Sequence, residues 1–137
     1  MPSFTSGAAL ESYIKSKMNI ALQNTASKLA VKLHEYIYED FYAQYDPFIY
    51  RRTYQFQDSP EINMIAKDLV EIFVNTDRMN YEDATGEYVA TLAASGYHGN
   101  TSIFRPGFFW KDFINYVTAN VKQIYKQEMQ AVGLPVK

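Results

Sequence analysis

The chain has 137 residues, thirteen Lys and Arg against fifteen Asp and Glu, a formal net charge of −2 and no cysteine. Its length suits one domain spanning residues 1–137, large enough to bury a core without metal or disulfide support. The missing thiols exclude a disulfide framework, thiolate metal sites and cysteine nucleophiles, and the acidic, scattered charge argues against a general nucleic-acid binder.

From the N-terminus, residues 1–17 lack a basic region followed by an apolar run, so no signal peptide is expected. Residues 7–43 read as one long helix. Leu10, Ile14, Met18, Leu22, Ala26, Leu29, Leu33, Ile37 and Phe41 recur in steps of three and four and form a single stripe. Lys15, Lys17, Lys28, Lys32, Glu35 and Glu39 fall off it. At 1.5 Å per residue the helix would run on the order of 50 Å, more than a compact domain needs, so part of it is expected against a neighbouring subunit. Asp46 precedes Pro47 and is pushed out of the α region, which ends the helix by Tyr45.

The next stretch, "YAQYDPFIYRRTYQF" at 42–56, crowds aromatic rings around Arg51 and Arg52. Tyrosine pairs an apolar ring with a polar handle, which suits either a half-buried core edge or an assembly surface. On a strand the two arginines point to opposite faces. Arg52 then pins the turn to the first helix, while Arg51 is left exposed or interfacial. A further strand is expected over Thr53–Gln57. Residues 59–75 fit two patterns. As a helix, Ser59 caps and Pro60 takes the first helical position. As a hairpin, Ile62–Ala66 and Leu69–Asn75 pair across Lys67-Asp68, and the β-branched run Val70, Ile72, Val74 favours this version. A short helix over 85–94, opened by Thr85, and one long loop, Gly96–Gly107, follow. The last helix starts near Pro106-Gly107, with Trp110, Phe113, Ile114, Val117, Val121, Ile124 and Val132 on one face. Gly133, Leu134 and Pro135 end it through a left-handed turn.

No element reaches the ~20 apolar residues that span a bilayer, so a soluble protein without a membrane partner is expected. His34-Glu35 resembles half of the H-E-x-x-H zinc motif, but Tyr38 occupies the second ligand position. Glu35, Glu39 and Asp40 form an acidic cluster that suits docking of Arg51 or Arg52 better than acid–base catalysis. Neither a nucleophile elbow nor a phosphate-binding loop occurs. The expectation is a non-enzyme with no cofactor and no metal.

In chain order there are the long helix, Tyr45-x-Pro47-x-x-Tyr50-x-Arg52-Thr53, the hairpin, Asn80-Tyr81, a short helix, Gly96-x-His98-Gly99, Phe108-Phe109-Trp110 and a helix ending Gly133-Leu134-Pro135. This order resembles the neck or tail-completion proteins of long-tailed bacteriophages, from about residue 10 onward. The resemblance implies an α+β fold, an antiparallel sheet or hairpin packed against a long N-terminal helix and a C-terminal helix. It also implies a structural part of the head–tail joint, in a homo-oligomeric ring with a hexamer favoured, between connector and tail-tube proteins. DNA would be only a passing cargo. Tail terminator, stopper or a small non-viral scaffolding protein are the alternatives. Tyr45, Tyr50, Arg51, Arg52, Tyr54, His98 and Phe104 are the expected interaction residues, and the Gly96–Gly107 loop would face a partner ring, line the DNA channel or lie free on the surface.

Overall fold

The computed structural model describes residues 2–40, 55–79, 85, 86, 90, 97, 98, 101, 102 and 108–137. Helix α1 runs Gly7–Asp40. Ser6 starts it, since its Oγ accepts the amide of Ala9 at 3.1 Å and its carbonyl accepts that of Leu10 at 3.2 Å. The expected stripe sinks unevenly into the protein. Ala26, Leu29, Leu33 and Ile37 are buried, Leu10, Ile14 and Leu22 are half-buried, and Met18 is exposed. The C-terminal half of α1 therefore carries most of the packing. Phe41 to Ala43 lie outside the described residues.

Strands β1 (Pro60–Ala66) and β2 (Leu69–Val74) form an antiparallel hairpin. The hairpin pattern therefore holds over the helical one for residues 59–75. Pro60 opens β1, where a missing amide costs no ladder bond. The register pairs Ile62 with Ile72 and Met64 with Val70 on one face, and Asn63 with Glu71 on the other. That alternation suits a two-stranded sheet with one side against a helix. Ile72 and Val74 pack onto the core. The register slips between Met64 and Ala66, so Ile65 sits at a bulge. Ser59, fully buried, ties off the open end: its carbonyl accepts the Asn75 amide at 2.9 Å, and its hydroxyl donates to the Phe56 carbonyl at 2.5 Å.

Gln55 to Asp58 form a turn. The strand expected over Thr53–Gln57 is corrected there, while Thr53 and Tyr54 lie outside the described residues. The reason is Phe56. Its ring is fully buried and meets Phe109 edge to face, with centroids 5.3 Å apart and planes at 88°. After β2 a short 3₁₀ turn, Thr76–Arg78, delivers Met79 to the core. Buried Gly86 lies against it: a Cβ there would come within 2.5 Å of Met79 Cβ. Of the helix expected over 85–94, Gly86 and Ala90 are helical, Thr85 forms a β-bridge, and the others lie outside the described residues. The loop expected over Gly96–Gly107 contains a two-residue pairing instead, β3 (Tyr97–His98) with β4 (Thr101–Ser102).

Helix α2 runs Phe108–Ala131. Tyr36 meets Tyr116 and Lys28 meets Glu128, so α2 is antiparallel to α1. Phe109 and Phe113 are its buried residues in the core, with Trp110, Val117, Val121 and Ile124 packed at the margin. Ile114, expected on that face, is 54% exposed. It lies roughly 100° around the helix from Phe113, past the edge of the contact. Val132 is in the terminating turn rather than the helix. Gly133 takes φ 92°, its amide donates to the Gln130 carbonyl and that of Leu134 donates to Met129, each at 3.0 Å. This is the Schellman pattern, and Leu134 is buried as its hydrophobic contact requires. The fold is α+β, with the hairpin and both helices sharing one core of Leu29, Leu33, Ile37, Phe56, Met79, Phe109 and Phe113.

Candidate interaction surface

The core uses one side of α1 and leaves the other to solvent. On that outer side Ile20 is 42%, Val31 57% and Tyr38 45% exposed. With 3.6 residues per turn these three lie within about 20° of one another, opposite Leu29. Lys17 extends over the ring of Tyr13 at 5.6 Å, and Tyr13 packs against Phe4 with centroids 5.0 Å apart and planes tilted by 49°. Near the other end, His34 faces the turn after the aromatic stretch. Its Nε2 lies 3.1 Å from the Gln57 amide nitrogen and its Nδ1 3.7 Å from an oxygen of exposed Asp58. His34 is a half-exposed residue of α1.

The hairpin turn offers a second apolar spot. Ile65 and Leu69 are more than half exposed beside Lys67 and Asp68. Both flank the tight turn at the bulged end of the hairpin. Along the outer face of the hairpin several polar side chains satisfy one another. Asn63 donates to Glu71 across the strands at 3.4 Å, and Glu61 takes both Asn75 and the Arg78 guanidinium, the latter at 2.9 Å.

Elsewhere the charged groups are spent on structure. Lys28 reaches across the helix pair to Glu128, which is buried in α2. Lys32 binds Glu35 at 2.8 Å and lies over the Tyr116 ring at 5.2 Å. The hydrogen bond and charge of Glu35 raise the Lys32 pKa, and Lys15 holds the Glu11 carboxyl low in the same way. Burial pushes the phenols of Tyr36 and Tyr125 up. The acidic cluster at the end of α1 is thus divided: Glu35 is drawn to Lys32, while Asp40 is buried. Among the described residues no three His, Asp or Glu side chains gather to hold a metal. No described helix is long and apolar enough to cross a membrane.

Of the expected interaction residues, Tyr45, Tyr50, Arg51, Arg52, Tyr54 and Phe104 lie outside the described residues, and His98 is placed only by its backbone pairing with Thr101. The structure adds Ile20, Val31 and Tyr38, which the sequence reading passed over. They were legible: all three sit off the core stripe, where apolar side chains have no packing duty.

The family profile YomN matches residues 6–131, from the cap of α1 to the last residue of α2. It is a phage-associated family. No curated protein and no solved structure matches the chain.

Proposed function

The chain belongs to the YomN family, and from that premise we propose that it is a non-enzymatic structural component of the head–tail connector, or neck, of a long-tailed phage virion. It forms a homo-oligomeric ring, a hexamer by preference, joining the capsid-side connector to the tail and letting DNA pass as cargo. The observation that carries this reading is a phage-associated family profile spanning nearly the whole chain. The ordered resemblance to neck proteins supplies the finer assignment. The chemistry agrees with a building block. Lys28 with Glu128 and Lys32 over Tyr116 tie the two helices together, and the exposed apolar side chains lie on faces that can meet other proteins. A ring also needs each subunit to present two different faces. The long α1 and the hairpin tip lie on separate elements and can serve as such faces.

The test is to locate the chain in purified virions by mass spectrometry and electron microscopy, and to delete its gene. The expected result is the chain at the head–tail joint, with filled heads and finished tails left unjoined in the deletion. Particles that lack the chain, or that join without it, overturn the reading. Unjoined tails of abnormal length in the deletion would transfer it to the tail terminator, and heads that lose their DNA to the stopper. Arg51→Glu is expected to leave the melting temperature nearly unchanged and lower the yield of joined particles.

A further inference from the structure

We propose that the outer face of α1 is a self-association seam, through which two copies of this chain pair antiparallel about a two-fold axis. The face is built on a coiled-coil spacing. From Tyr13 through Lys17, Ile20, Asn24, Ser27, Val31 and His34 to Tyr38, the steps alternate four and three residues. This keeps a seam in line along a helix that pairs with another. None of the eight is buried in the core, and Ile20, Val31 and Tyr38 are exposed.

The order of residues along the seam singles out the antiparallel arrangement. It reads nearly the same from either end about a midpoint level with Thr25 and Ala26. Pairing about that midpoint sets Tyr13 beside Tyr38 of the partner subunit and Ile20 beside Val31 of the partner subunit. The small polar pair Asn24 and Ser27 falls at the centre, where two helices approach closest. Aromatic ends, aliphatic intermediate layers and a polar centre thus match themselves, which is what an isologous interface requires. A polar central layer also fixes the register, because a shifted pairing would bury Asn24 against Ile20 or Val31.

Charge favours the same direction. Among the described residues Lys17 has a ring beneath it and no carboxylate in its reach. In the antiparallel pair it arrives at the level of His34 of the partner subunit, where Glu35 and the exposed Asp58 supply negative charge. A parallel pair would instead set the acidic end of α1, Glu35 and Glu39, against its own copy. It would also align the two helix dipoles. The seam is narrow and partly polar, so it belongs with weak interfaces that bury under about 1,200 Å² in total.

The inference goes beyond the neck reading and stands independently of it. A two-fold pair has no direction, whereas a joint between head and tail has one. The seam therefore describes the free protein; in the ring the same face of α1 would meet a different surface of its neighbour instead of its own copy.

Light scattering and sedimentation of the purified full chain, from about 5 to about 500 µM, test it. The mass is expected to climb from 15.8 kDa toward twice that value. Val31→Glu, at an exposed site, is expected to raise the dissociation constant at least about tenfold while the melting temperature holds. Lys17→Glu is expected to weaken the pair, and adding Glu35→Lys to that variant to restore it. The natural absence of cysteine permits a test of direction. Ile20→Cys mixed with Val31→Cys is expected to cross-link between the two variants on oxidation, while neither cross-links to itself. Like positions would be about 16 Å apart along the axis, beyond the roughly 7 Å that a disulfide can bridge. A monomer at every concentration overturns the proposal, as does a dimer indifferent to Val31→Glu or an Ile20→Cys homodimer cross-link. A larger ring that persists in Val31→Glu overturns the seam and leaves the neck reading intact.

Discussion

Leu33 and Val31 sit two residues apart on α1, one fully buried and the other 57% exposed. Truncating each to alanine separates packing from helix propensity. Leu33 lies in the cluster formed by Leu29, Ile37, Phe56, Met79, Phe109 and Phe113. Removing its isobutyl group loses the transfer free energy and leaves a cavity walled by aromatic rings held on different elements. Those walls cannot collapse together easily, so the cost belongs in the middle of the Leu→Ala range, about 3 kcal/mol. Helix propensity offsets at most a few tenths of a kcal/mol of that. For a chain of this size, about 3 kcal/mol lowers the melting temperature by about 10 °C. Val31→Ala removes no core contact and should change stability by less than about 0.5 kcal/mol. Urea unfolding followed by far-ultraviolet circular dichroism, at concentrations low enough to keep any pair dissociated, measures both. The slope of the transition should be unchanged. A loss under about 1 kcal/mol at Leu33, or equal losses at both positions, would refute the claim that the C-terminal half of α1 carries the core.

Three further outcomes follow from named contacts. Gly86→Ala should cost more than about 2 kcal/mol, because the added methyl meets the backbone of Thr76 and Met79 Cβ rather than a flexible side-chain end; thermal melting checks it, and a neutral result would mean that the 3₁₀ turn moves aside freely. Lys28→Ala leaves the buried Glu128 carboxylate without its partner on α1. The cost should be about 1–2 kcal/mol, below that of a fully buried pair because Lys28 is 60% exposed, and Lys28→Ala with Glu128→Met should recover most of it. Burial holds the Tyr36 and Tyr125 phenols neutral beyond their usual pKa of 10.0. The unfolded chain ionises first as pH rises, so stability is full below pH 10.0 and falls above it. The Tyr36→Phe, Tyr125→Phe double variant should show a shallower loss across that range in pH-dependent denaturant titrations.

Much of the architecture was present in local patterns. The α1 stripe and the Gly133-Leu134-Pro135 terminator each specify their element through contacts within a few residues, so no distant information is needed. Residues 59–75 fitted both a helix and a hairpin; the β-branched run Val70, Ile72 and Val74 only favoured the hairpin, and its pairing across the two strands decided it. The errors share a cause. Gln55–Gln57 has the composition of a strand, yet the demand for Phe56 against Phe109 bends it into a turn. Ile114 has the spacing of a core residue, yet the contact with α1 is too narrow to reach it.

Taken alone, the order of amino acids determined the two long helices, the terminator of the second, and the charge and thiol content that narrow the chemistry. Those properties depend on neighbours along the chain. Only the tertiary structure decided which apolar positions are spent and which are left over. Whether Val31 or Leu33 is buried depends on where α2 and the hairpin lie against α1, a matter of packing between residues distant in sequence. The apolar outer face of α1 is what remains once that packing is complete.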